Sequence, residues 1–91
     1  MYYVYILSLK DNNLYTGATS NLKRRYNEHR NGKIISTRNK RPLKLIHYEA
    51  HLLKSDASRR EKFLKTTEGK RLLRQQIKNC LLDLKVRPII R

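Results

Sequence analysis

The chain has 91 residues, with 22 Lys or Arg against 7 Asp or Glu, for a formal net charge of +15. That length gives one domain with little room for a second core, and no apolar run approaches the roughly 18 residues that span a bilayer. A single cysteine, Cys80, excludes an internal disulfide and fits a reducing cytoplasmic setting, while one Cys with three scattered His argues against a structural zinc site.

Self-repulsion at this charge weakens the compact state unless a polyanion relieves it, so nucleic acid is the expected partner, ahead of an anionic membrane. The charge is spread along the chain, which points to binding by the folded body. "MYYVYILSLKDNN" lacks a basic n-region and alternates as a strand does, so it is not expected to be a signal peptide. "YYVYILSL" reads as a strand over 2–8, with Tyr3, Tyr5 and Leu7 on one face and Tyr2, Val4 and Ile6 on the other. "KDNN" supplies turn residues and "LYTGA" returns as a second strand, where Gly17 marks a bend or a backbone that something approaches closely. Thr19 or Ser20 is the expected N-cap of a helix over 21–31, with Gly32 as its stop.

Residues 33–42 read as a basic loop. A third strand is expected over 43–50, with Leu43, Leu45, His47 and Glu49 on one side and Lys44, Ile46, Tyr48 and Ala50 on the other. Ser55 or Asp56 should cap a second helix reaching 66. A third is expected over 69–84, carrying an apolar stripe of Leu73, Ile77, Cys80, Leu81 and Leu84. Pro88 ends the regular structure. The order β-β-α-β-α-α predicts an α/β (α+β) domain over 1–85, a three-stranded, largely antiparallel sheet flanked by three helices, followed by a short tail over 86–91.

The helices carry polar residues where apolar ones belong. At roughly 100° per residue, Leu22, Arg25, Tyr26 and His29 share one narrow face of the first helix. In the second helix Glu61 sits between Ala57 and Leu64 on the inner stripe. An inward carboxylate is costly unless paired or bound to metal. A Glu61–Arg25 salt bridge at the core edge is one explanation. Metal-assisted phosphodiester hydrolysis by converging Tyr, Arg, His and Glu side chains is the other.

The ordered set resembles the GIY-YIG nuclease domain, named for two triplets on a hairpin. Here the triplets are Tyr3-Val4-Tyr5 and Tyr15-Thr16-Gly17, the first with Tyr3 in the place of the name-giving glycine. Arg25 and His29 match the family's basic and polar positions on the first helix. Glu61, in "SRREKFLK", matches its metal-binding glutamate, and Asn79, in "IKNCL", the asparagine of some members.

The resemblance implies a divalent-metal-dependent DNA endonuclease, structure-selective or weakly sequence-selective, of use in DNA repair or recombination. Glu61 is expected to hold Mg²⁺ or Mn²⁺. Arg25 would neutralise charge on the phosphate, and His29 would orient a tyrosine or donate to phosphate. Tyr5 or Tyr15 would take the proton of the attacking water, and since a free tyrosine has a pKa of about 10 either needs help. Gly17 and Asn79 would support the site. Lys33, Arg38, Lys40 and Arg41 would grip backbone phosphates. The competing reading is a non-catalytic DNA- or RNA-binding module using the same basic surface. His47 and His51, with Glu49 between them, are either exposed strand residues or a second metal site.

Overall fold

The computed structural model describes residues 1–86. Strand β1 (Tyr2–Ser8) and strand β2 (Leu14–Thr19) form the expected hairpin. Its turn is held by Leu9 N–H to Asn13 O and Asn12 N–H to Leu9 O, both 2.9 Å. Asp11 accepts from Asn13 N–H at 3.1 Å, and Asn12 takes a left-handed φ of 68°.

Helix α1 spans Leu22–Arg30, and its cap is Asn21, whose side chain accepts from Arg24 N–H, not Thr19 or Ser20. Thr19 Oγ1 instead accepts from Asn21 N–H, setting the entry to the helix. Gly32, at φ 75°, stands just past the helix, as a stop should. The loop that follows contains one turn of 3-10 helix at Arg38–Lys40.

Strand β3 (Lys44–His51) pairs antiparallel with β1, giving the order β2-β1-β3. Its simple alternation fails. The β1–β3 register shifts between Ile6 and Leu7, so Leu7 faces Leu45 while Ile6 faces His47. This bulge splits the expected row: Leu43 and Leu45 pack with Tyr5 and Leu7, whereas His47 and Glu49 lie opposite Ile6 and Val4 on the other face.

Helix α2 (Lys54–Leu64) begins ahead of Ser55 and has no side-chain cap. Thr66 caps helix α3 (Thr67–Gln76), accepting from Gly69 N–H at 3.0 Å. The long third helix is in fact two, since the chain kinks at Ile77 and restarts as α4 (Lys78–Val86). Ile77 N–H still bonds Leu73 O, and Leu81 N–H bonds Ile77 O, so the apolar stripe keeps its spacing through the kink. Most of the expected tail, residues 87–91, lies outside the described residues.

Both sheet faces are covered. Val4 and Ile6 pack with Ala57, Leu64, Leu73 and Ile77 on one side, with Cys80 and Leu81 beside them. Tyr5, Leu7, Leu9 and Leu43 pack with Leu22 and Tyr26 of α1 on the other. Among the described residues no helix is long and apolar enough to cross a membrane.

Candidate active site

The central strand places Tyr5 directly opposite Gly17 of β2. A Cβ at Gly17 would overlap the Tyr5 ring and hydroxyl, so close approach, not a bend, explains this glycine. Tyr15 lies beside Tyr5 at a ring-centroid distance of 6.3 Å. Tyr3, where the family has its first glycine, stays in regular pairing with Thr19 and Ala50.

His29, on the last turn of α1, is fully buried and sets its ring edge-on to both tyrosines, 5.6 Å from Tyr5 and 5.2 Å from Tyr15. Its Nε2 is 2.8 Å from the Tyr5 hydroxyl and its Nδ1 is 2.7 Å from Thr37 Oγ1. A buried chain Tyr5–His29–Thr37 thus runs from the sheet into the loop. Nothing in the sequence singled out Thr37, because a threonine in a polar loop carries no periodic signal.

Arg25, one turn earlier on α1, is half-buried and pairs with Glu28 at 3.4 Å. Its Nε is buried with no hydrogen-bond partner among the described residues. The Glu61–Arg25 bridge is not formed. Glu61 pairs instead with Lys65 of its own helix at 3.1 Å, because α1 and α2 cover opposite faces of the sheet.

Burial dominates the electrostatics. It pushes Tyr5 up to about 12, against the guanidinium of Arg25 beside it and with help from Tyr15 and Glu61. Burial, then the positive charge of Arg25, lowers His29, which is a neutral imidazole at pH 7. The Tyr5 hydroxyl and Glu28 in turn hold Arg25 more firmly charged.

The profile of the GIY-YIG catalytic domain matches residues 1–75. The chain belongs to the GIY-YIG family. Among its GIY-YIG relatives it is 46% identical over 66 residues to a UPF0213 protein of Staphylococcus haemolyticus, covering 71% of this chain and 80% of that one. A UPF0213 protein of Streptococcus agalactiae is 41% identical over 80 residues, covering 85% and 91%. The solution NMR structure of the UPF0213 protein of Bacillus halodurans superposes with a TM-score of 0.54 at 36% identity, covering 84% of this chain and 85% of that one.

In this GIY-YIG chain the donor set suits one kind of metal only. Among the described residues no group of three or more His, Cys, Asp or Glu could hold an ion. Glu61 alone lines a cleft of about 290 Å³ with Tyr2, Ala18, Thr19, Ser20 and Lys54. A lone carboxylate fits Mg²⁺, which keeps waters and takes phosphate oxygens, and does not fit an all-protein zinc or calcium cage.

The basic loop does more than face solvent. Arg38 Nε donates to Gly32 O at 3.0 Å, and Arg41 donates to Arg38 O and Arg30 O at 3.0 and 3.2 Å. Lys40 pairs with Asp11 at 3.3 Å, while the Lys33 side chain is exposed and hydrogen-bonds to no described residue. Three of these four therefore brace the loop that carries Thr37. Asn79 is exposed on α4, and no hydrogen bond joins it to the Tyr5–His29 chain.

In the His47–Glu49–His51 row the Glu49 carboxylate is taken by protein partners. Arg60 of α2 forks onto Glu49 at 2.9 and 3.1 Å, with His47 at 3.2 Å on the same carboxylate. Burial alone would raise Glu49, but Arg60 and His47 more than offset it and hold the carboxyl below its ordinary value. Arg60 was visible in the sequence at i+3 from Ala57 and i−4 from Leu64, the same stripe that holds Glu61.

Proposed function

We propose that this GIY-YIG chain is a divalent-metal-dependent DNA endonuclease that hydrolyses phosphodiester bonds with weak sequence selectivity. The observation that carries the reading is the buried Tyr5–His29 hydrogen bond, placed beside Arg25 and Tyr15 in a nuclease-family domain.

Tyr5 is the general base. Its hydroxyl has the buried imidazole on one side and the Arg25 guanidinium on another, two groups that support negative charge on oxygen. Arg25, whose side chain is part-exposed although its Nε is buried, would offer its outer N–H donors to a non-bridging phosphate oxygen. Tyr15, half-buried beside Tyr5, positions the phosphate by its hydroxyl. Glu61 would hold Mg²⁺ or Mn²⁺, which when bound supplies charge neutralisation at the scissile phosphate and the leaving oxygen. Lys33 and the outer charge of the 33–42 loop would track the DNA backbone, so binding should weaken steeply with salt. Asn79 supports the site only if substrate draws α4 towards it.

The experiment is a panel of flap, junction, nicked and linear DNAs and matched RNAs, incubated with Mg²⁺ or with EDTA. Metal-dependent cutting of DNA supports the reading and names the preferred structure. Metal-independent binding that favours RNA and never cuts would replace it with a binding module.

A further inference from the structure

Thr37 occupies the N-cap position of the 3-10 turn Arg38–Lys40, yet its side chain does not cap that turn. The hydroxyl is fully buried and has a single hydrogen-bond partner among the described residues, Nδ1 of His29 at 2.7 Å. Its placement is itself braced, since Thr37 N–H bonds Ile34 O and Lys40 N–H bonds Thr37 O.

We propose that Thr37 is a positioning residue: its hydroxyl donates to Nδ1 of His29, fixes the imidazole as the Nε2–H tautomer, and aims an N–H donor at the Tyr5 oxygen. With a neutral imidazole the chain holds three protons, on the Thr37 hydroxyl, the imidazole and the Tyr5 hydroxyl, for only two bonds. One proton must therefore be spare.

If Nδ1 carried the hydrogen, the spare proton would sit on Thr37, an alkanol too weakly acidic to release it, and a Tyr5 phenolate would face a bare ring nitrogen. In the Nε2–H tautomer the spare proton is that of Tyr5. Tyr5 is as buried as Thr37, so burial does not choose between the tautomers; the choice follows from the Tyr5 proton being the one that a base must give up, with Nε2–H the donor left to the phenolate. The titratable and charged groups that act on that hydroxyl are Arg25 and His29 from α1, Tyr15 from β2 and Glu61 from α2, with Glu28 paired to Arg25 and Tyr48 the β3 residue opposite Tyr5.

Loss of that one proton leaves two protons for two bonds, with every member of the chain satisfied. The chain is thus built to receive a Tyr5 phenolate, and Thr37 sets its direction from outside the reacting atoms. This inference rests on the reading of Tyr5 as the base, but its first test does not need activity.

The test is ¹⁵N NMR of imidazole-labelled wild type, Thr37→Ser and Thr37→Val, with His29 assigned through the backbone. The expected result is a protonated Nε2 in wild type and Thr37→Ser, with a mixture of tautomers in Thr37→Val. A protonated Nδ1 in wild type overturns the proposal, even if Thr37→Val fails to fold. In single-turnover cleavage, Thr37→Val should lose about tenfold in rate at unchanged affinity, one hydrogen bond's share of the barrier, and Thr37→Ser should recover it. A Thr37→Val protein that keeps both tautomer and rate overturns it as well. If no variant cuts DNA, the nuclease reading falls while the tautomer measurement still decides the role of Thr37.

Discussion

Removing the Tyr5 hydroxyl tests the buried chain most sharply, because the change keeps the ring over Gly17 and deletes only the polar atom. Tyr5 and His29 are both essentially without solvent exposure, and their bond is 2.8 Å long. Tyr5→Phe therefore leaves His29 Nε2 buried without a partner, at a cost of about 1–3 kcal/mol. For a domain of this size each kcal/mol lowers Tm by about 4–8 °C. His29→Leu strands the Tyr5 and Thr37 hydroxyls together and should cost more. In the double variant Tyr5→Phe/His29→Leu only Thr37 remains stranded, so its destabilisation should fall short of the sum by at least about 2 kcal/mol, the penalties of the two groups no longer stranded. Urea unfolding followed by circular dichroism, at constant m-value, reads this coupling directly. Single effects that add to within about 0.5 kcal/mol would mean that the hydroxyl and the imidazole are not partners.

Gly17→Ala places a methyl group in the Tyr5 ring, and overpacking of this kind should cost about 1–3 kcal/mol in thermal unfolding; an unchanged Tm would remove the ring from above Gly17. With Tyr5 as the proposed base and its pKa raised to about 12 in the free chain, the single-turnover rate should climb with pH from 7 to 9; a flat profile contradicts Tyr5 as base. His29 is held below the ordinary imidazole value of 6.5, so on acidification the unfolded chain takes that proton before the folded one. Stability from this group is full above 6.5 and lost as pH falls below it, and an NMR titration should find His29 neutral at a pH where it would charge in a peptide. Arg60→Ala leaves Glu49 with only His47 and His51 beside it at a partly exposed site and should cost about 1–2 kcal/mol by urea unfolding, with Arg60→Lys recovering only part because the fork is lost. Full recovery by lysine would mean that charge alone matters there.

The strands were legible because alternation over 2–8 and the "KDNN" turn are local signals, and the inward face of α1 because helical geometry puts Arg25 and His29 beside Leu22 and Tyr26. What escaped is non-local. An extra residue in β3 leaves no mark on a short run of mixed residues, so the bulge that separates Leu45 from His47 needed the β1 pairing to be seen. The kink at Ile77 preserves the spacing of Leu73, Ile77 and Leu81, and therefore hides in the very pattern that predicts the helix. A helical wheel gave Glu61 and Arg25 as inward on their own helices but not which sheet face each helix would cover, and the expected bridge between them failed for that reason. Thr37 became a site neighbour only because the loop after α1 folds back under His29.

The central claim is that Glu61 serves a metal-dependent reaction and not a merely basic surface. Supercoiled plasmid nicking and DNA-binding anisotropy, run together for wild type and Glu61→Gln with Mg²⁺ or EDTA, separate the two. Nicking by wild type that needs Mg²⁺ and is lost in Glu61→Gln, with DNA affinity kept, is the predicted result. Nicking that survives in Glu61→Gln, or tight salt-sensitive binding with no cutting by either protein, would contradict it.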